Sequence, residues 1–318
     1  MRNRILAVTG AFLALFGGSA MAGDMPGDIE VLTDSRGFVA IPSNFGVEET
    51  TSRLTDSLER NENINLLGVV DHSAAAASVD MELPPTRVVF FGNPALGSPL
   101  MQRRRSVGID LPQKLLVWEG ENGTTYVGYN TTPYLSARHE LSADIDQLQT
   151  INGALANFAS SVAGEAEAYR TELASVGNTG DNLGSIAGGS GLESVTSNED
   201  FATTVSNLEL VLEDRGFRVP FVVEHSRAAA ANDIELGPTT LFIFGNPNVG
   251  TPLMQLERRI AVDLPQKMLV WEDDDGTVRL TYNNPAYVLN RHDVADLPPN
   301  VTNIAGALAG IAEAAAGE

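Results

Sequence analysis

Residues 88–119 align with residues 241–272 at a constant offset of 153 without a gap, and 19 of the 32 positions are identical. The shared skeleton reads Phe91-Gly92-Asn93-Pro94, then Gly97-Ser98-Pro99-Leu100-Met101-Gln102, then Asp110-Leu111-Pro112-Gln113-Lys114, then Val117-Trp118-Glu119. The same offset relates Ile151-Asn152-Gly153-Ala154-Leu155-Ala156 to Ile304-Ala305-Gly306-Ala307-Leu308-Ala309. A match of this length makes the chain two copies of one folding unit. With 318 residues, each copy has the size at which a single core forms readily.

The copies divide the chain into repeat 1 over residues 28–164 and repeat 2 over 192–318. Between them, residues 165–191 end in a run rich in Gly, Ser and Asn that reads as a flexible linker. Residues 1–22 read as a secretory signal peptide: Arg2 and Arg4 precede an apolar stretch too short to span a bilayer, and Ala20-Met21-Ala22 supplies small residues for cleavage. The expectation is a periplasmic or secreted protein with no membrane span after signal removal. The chain has no cysteine, so disulfides, thiolate catalysis and thiolate metal ligation are excluded. Loss of Arg2 and Arg4 takes the formal net charge from −21 to −23. So acidic a surface repels phosphate backbones and argues against a nucleic-acid partner.

Periodicity predicts strands near residues 37–41, 65–70 and 87–91, a helix over 47–60, and a hairpin of 113–119 with 124–130 across Gly120-Glu121-Asn122-Gly123. Ser98-Pro99 has the chemistry of a helix start. A short helix is expected over 133–139 and a longer one over about 143–174. Leu115 and Val117 alternate with Leu116 and Trp118, so that strand is apolar on both faces and needs cover on both. Helices are expected on one face and the other repeat on the opposite one, giving an intramolecular pseudo-dimer.

The recurring pattern Phe-Gly-Asn-Pro, Gly-Ser/Thr-Pro-Leu-Met-Gln, Asp-Leu-Pro, Val-Trp-Glu, Tyr-Asn and Arg-His resembles the domain of unknown function numbered 302, in tandem. The resemblance implies an α+β fold, with each repeat a curved antiparallel sheet carrying packed helices, and it implies pairing. It brings no activity. Repeat 1 departs from the pattern at Tyr129-Asn130-Thr131-Thr132-Pro133-Tyr134, where repeat 2 has Tyr282-Asn283-Asn284-Pro285-Ala286-Tyr287.

Four histidines, two tryptophans and two lysines occur in the chain, and each pairs in register: His72 with His225, His139 with His292, Trp118 with Trp271, and Lys114 with Lys267. The candidate ligand-binding residues are His72, Asn93, Asp110, Lys114 and His139, with His225, Asn246, Asp263, Lys267 and His292, expected as one pocket per repeat. Lys114 reads either as a substrate-binding amine or as a salt-bridge partner of Asp110 or Glu119. His139 at a helix C-terminus is expected to be charged, and Arg138 and Arg291 are expected to pair with Glu119 and Glu272. His72 and His139, completed by Asp71 or Asp110, could hold zinc or copper. The Phe91-Gly92-Asn93-Pro94 turn lacks the spacing of a nucleotide loop, and Leu100-Met101 reads as core. No serine-nucleophile signature accompanies the histidines. Three functions stay open: a binding module for a small molecule or metal ion, a hydrolase or isomerase using a histidine and a lysine in each repeat, and a structural or partner-binding protein without a pocket.

Overall fold

The computed structural model describes residues 32–33, 36–164, 169–170, 172–173 and 190–318. The signal-like segment 1–22 and most of the linker 165–191 lie outside the described residues. Repeat 1 runs β1 (Leu32–Thr33), β2 (Phe38–Ser43), α1 (Val47–Glu59), β3 (Asn65–Asp71), α2 (His72–Ala77), β4 (Thr86–Gly92), α3 (Pro94–Arg103), a 3-10 turn (Arg105–Ile109), β5 (Gln113–Glu119), β6 (Thr125–Asn130), α4 (Thr132–Arg138) and α5 (Asp146–Ala163). Repeat 2 runs β7 (Leu192–Thr196), α6 (Phe201–Asp214), β8 (Arg218–Glu224), α7 (His225–Ala230), β9 (Thr239–Gly245), α8 (Pro247–Leu256), a second 3-10 turn (Arg258–Asp263), β10 (Gln266–Glu272), β11 (Val278–Asn283), α9 (Pro285–Arg291) and α10 (Val301–Ala315).

Both sheets are antiparallel, in the order β1-β2-β6-β5-β4-β3 and β7-β11-β10-β9-β8. The α+β class and the expected strand content of each repeat are therefore present. Strand β5 carries the sheet's two-faced character as its sequence demands. Leu115 and Val117 join Val89 and Phe91 under α1 and α5, where they meet Leu54, Leu58, Leu155 and Phe158. Leu116 and Trp118 join Phe38, Val88 and Phe90 in a second core that continues into repeat 2 through Leu241, Ile243 and Leu269. Helices cover one face and the other repeat covers the opposite one, so the two repeats form the expected pseudo-dimer within one chain.

The seam is built symmetrically. The 3-10 turn of repeat 1 packs on β9 and β10, and that of repeat 2 packs on β4 and β5. Around them α3 packs on α7, and α2 on α8. At Gly108 the approach is so close that a Cβ would lie 3.0 Å from Leu269 Cδ1.

Two boundaries differ from expectation. Helix α3 starts at Pro94 rather than at Ser98-Pro99. Asn93 is the cap, its Oδ1 accepting from the Ala95 amide at 2.9 Å, and Pro94 takes the first helical position. Ser98 and Pro99 consequently sit inside the helix. Helix α5 ends at Ala163, because Gly164 turns left-handed at φ 94° and stops it. The departure between copies after Tyr-Asn is an exchange of caps: the Thr131 hydroxyl accepts from the Tyr134 amide, whereas Asn284 Oδ1 accepts from those of Ala286 and Tyr287.

Candidate functional site

The 3-10 turns carry Asp110 and Asp263 into the middle of the seam, and the seam-facing side of β5 and β10 brings Lys114 and Lys267 beside them. The last turns of α4 and α9 supply Arg138 and Arg291, followed by His139 and His292. Asp110 receives Arg138 Nη1 at 3.0 Å on Oδ1 and 2.8 Å on Oδ2, and His139 Nε2 lies 2.8 Å from Oδ2. Asp263 receives Arg291 Nη1 at 2.6 Å, with His292 Nε2 at 2.8 Å. The repeats are then cross-linked: Arg138 Nη2 donates to Asn283 Oδ1 at 2.7 Å, Arg291 Nη2 to Asn130 Oδ1 at 3.0 Å, and Asn130 Nδ2 to Asp263 Oδ1 at 3.2 Å. Lys267 Nζ lies 3.9 Å from Asp110 Oδ1, across the seam, while Lys114 Nζ donates to the Asp110 backbone carbonyl at 3.3 Å. Tyr134 and Tyr287 close the cluster with their hydroxyls 3.5 Å apart.

These groups are withdrawn from water, with the Arg138 side chain 1% and that of Asp110 3% exposed. Burial alone would raise the Asp110 and Asp263 carboxyls, yet the guanidinium, imidazole and ammonium partners outweigh it and hold both well below the usual carboxylate range. Burial pushes Lys114 down to about 7, with Lys267 adding to the effect, and burial also lowers Lys267 itself. Burial lowers His139 despite its bond to Asp110. The imidazole is therefore neutral at pH 7, against the charged form expected of a helix C-terminus, because desolvation exceeds the dipole's help. Arg138 and Arg291 pair with aspartates across a turn rather than with Glu119 and Glu272.

Ser106 adds a feature the sequence pattern did not announce. Its hydroxyl lies 3.0 Å from His139 Nδ1, which completes a hydrogen-bonded series Ser106–His139–Asp110. Serine, histidine and carboxylate in this order are the parts of a nucleophile relay. The electrostatics oppose that use: a proton taken by His139 would join Arg138 and Lys267 in a dry site, and both lower its proton affinity. At the corresponding position repeat 2 has Arg259, which pairs with Glu257.

The remaining candidates lie apart from the central cluster. His225 begins α7, and its Nε2 is 3.1 Å from the Gly108 carbonyl of the opposite repeat. His72 begins α2 and faces the backbone of Ala261 and Leu264. Asn246 caps α8 as Asn93 caps α3. The structure thus unites Asp110, Lys114, His139, Asp263, Lys267 and His292, and places His72, His225, Asn93 and Asn246 on its flanks. Asp71 caps α2 and pairs with Arg87, so neither it nor His72 joins His139. Among the described residues no group of three or more His, Asp or Glu is arranged to hold a metal ion.

Asn93 and His225 do share a second feature, a cavity of about 130 Å³ where α3, α5 and the start of β5 meet α7 of repeat 2. Ile64, Phe91, Leu96, Met101 and Leu155 make its lining mostly apolar. Ser98 and Gln113 also line it, and Ser98 Oγ and Gln113 Nε2 are buried without a hydrogen-bond partner among the described residues.

Burial lowers His72 and His225 from 6.5 to about 4. Between those pH values the unfolded chain takes up a proton on each histidine that the folded chain refuses, so stability falls as pH drops from 6.5 towards 4. Urea midpoints over that range should decline steadily, and a His72→Gln, His225→Gln variant should flatten the decline.

No helix among the described residues is long and apolar enough to cross a membrane. Over 110 residues the chain is 42% identical to proteins named fluoride-specific ion channel FluC 1 in Brucella suis biovar 1 (strain 1330) and in Brucella abortus biovar 1 (strain 9-941). Those alignments cover 35% of this chain and 43% and 40% of the respective relatives, so the chain spans about two fifths of the length of the curated relatives it matches. The crystal structure of uncharacterized conserved protein DUF302 from Bacillus stearothermophilus matches with 17% identity and a TM-score of 0.34, covering 40% of this chain and 96% of that one. The family model for the domain of unknown function DUF302 matches residues 39–158 and again residues 193–315. The two matches take in most of the chain, which belongs to the DUF302 family as a tandem pair of its domains.

Proposed function

We propose that the chain is a non-catalytic binding module for a small, mainly apolar molecule carrying one hydrogen-bond acceptor, held in the cavity between α3, α5 and α7. One observation carries this reading: Ser98 and Gln113 both line a mostly apolar space, and Ser98 Oγ and Gln113 Nε2 are buried without a hydrogen-bond partner among the described residues. A buried polar group without a partner costs about 1–3 kcal/mol, so an acceptor on the ligand would recover that cost while the ligand's body meets the apolar wall. The size is suited to a single ring, since an apolar cavity of roughly 150 Å³ takes up benzene. A hydrolase is the second reading and draws on Ser106–His139–Asp110, but the neighbouring cations weigh against it.

The test is a thermal-shift series with phenol, benzamide, benzoate and toluene. Benzamide, which can accept from Gln113 and pair with Ser98, should stabilise the protein more than toluene. Gln113→Leu should erase that preference, and Leu96→Trp, which fills the cavity, should abolish binding of every probe. Equal responses in wild type and Leu96→Trp would overturn the reading.

A further inference from the structure

The central cluster has more groups able to carry positive charge than carboxylates. Arg138, Arg291, Lys267 and, below about pH 7, Lys114 face it as cations, and Asp110 and Asp263 are its carboxylates. His139 is neutral, and burial keeps the Tyr134 hydroxyl protonated. The guanidiniums are already matched: Arg138 engages Asp110, Asn283 and the Ser190 carbonyl, and Arg291 engages Asp263 and Asn130. The lysines are not. Among the described residues, Lys114 Nζ makes one long bond to a backbone carbonyl, and Lys267 Nζ is buried with no hydrogen-bond acceptor and its nearest carboxylate oxygen 3.9 Å away. An ammonium has three donors, and a dry ammonium without acceptors is among the costliest groups a core can hold.

The geometry points to a buried halide site at the middle of the seam, where one monoatomic anion accepts from Lys114 Nζ and Lys267 Nζ and reduces the cluster's excess of positive charge. The size class follows from enclosure: Lys114 is 4% exposed, Lys267 1% and Arg291 2%, so a polyatomic oxyanion would have to displace side chains that already hold one another. The site takes its donors from both repeats, so it exists only in the paired state. It also couples to protons. Burial brings Lys114 down to about 7, and an anion beside it favours the charged form. Halide binding therefore takes up a proton and weakens as pH rises, by up to about tenfold per pH unit above 7.

The chain's two lysines give a direct readout. Protein labelled with 13C at lysine Cε should show two resonances, and titration with sodium fluoride or sodium chloride should shift both in a saturable way and raise the midpoint of Lys114 from about 7 by at least one pH unit. Sodium gluconate at equal ionic strength should do neither. Halide should also raise the melting temperature of wild type more at pH 6 than at pH 8.5, and a Lys114→Met, Lys267→Met variant should lose that response. Shifts that are linear in salt and identical in gluconate would overturn the site, and this measurement on wild type decides the matter even if the double variant does not fold. Neither readout depends on the apolar cavity, so the two proposals stand or fall separately.

Discussion

Asp110→Asn should destabilise the folded chain by about 3–5 kcal/mol, the range expected when one partner of a buried ion pair is removed. The substitution keeps the side chain's shape, removes its charge and turns one acceptor oxygen into a donor that faces the Arg138 guanidinium. It leaves the Arg138 guanidinium, 1% exposed, without its counter-charge, and it takes from Lys267 the closest carboxylate it has. His139 loses the anionic acceptor for its Nε2 proton as well. Arg138, Arg291, Lys267 and, below about pH 7, Lys114 would then face a single carboxylate in a region closed to solvent. The counterpart substitution predicts the opposite sign. Lys114→Met removes one of the surplus charges and leaves a side chain of similar length, so it should be neutral or stabilising, as when buried ionic groups give way to well-packed apolar ones. Urea unfolding at pH 6, where Lys114 is charged, measures both, and 1 M sodium gluconate should rescue Asp110→Asn little because screening does not reach buried charges. A loss below about 1 kcal/mol for Asp110→Asn, the level of an exposed ion pair, would mean that the cluster is wet and that the charge argument for the halide site fails with it.

Much of this cluster could be read from the sequence, although for a reason that points to the seam rather than to a pocket. A twofold-like interface uses the same patch on both sides, so residues that meet the opposite repeat are needed in both copies. Asp110 and Asp263, Lys114 and Lys267, and His139 and His292 recur in register and do gather there. His72 and His225 recur too, but they sit on the rim of the seam against the opposite 3-10 turn. Recurrence therefore identified the shared surface without telling its centre from its edge. Arg138 and Arg291 recur equally, yet their partners could not be deduced, because the pairing depends on how a helix end approaches a turn 28 residues away in the chain. Ser98 and Gln113 gave no signal, since an unpartnered polar atom exists only relative to a packed surrounding. The start of α3 was ambiguous locally: Asn93-Pro94 and Ser98-Pro99 both offer a cap followed by proline, and the earlier pair prevails where the chain leaves β4. The two-faced apolar pattern of β5 was unambiguous, and the pseudo-dimer follows from it.

That pattern yields the second large effect. Phe90 and Phe91 are adjacent on β4 and point to opposite faces: Phe90 meets Phe221 of repeat 2 with ring centroids 5.4 Å apart, and Phe91 meets Phe158 of α5 at 5.8 Å. Each is at least 95% buried, so Phe90→Ala and Phe91→Ala should each cost about 3–5 kcal/mol in global stability. Their local consequences should differ. Loss of Phe90 removes the wall against which β8 packs, and β8 is an edge strand held to its sheet on one side only. Native-state hydrogen exchange should then show the amides of β8 opening more readily in Phe90→Ala, although the substitution lies in the other repeat. Phe91→Ala should loosen α5 and disturb β8 much less, because none of the buried residues of that outer core belongs to repeat 2. Wild type should unfold in one cooperative transition, since neither repeat can expose its inner sheet face without exposing the other's. Two separate transitions, one for each repeat, with β8 indifferent to Phe90, would show that the inner faces are only in contact and do not form a common core; the cluster between them would then have no enclosed interior in which to hold its charges.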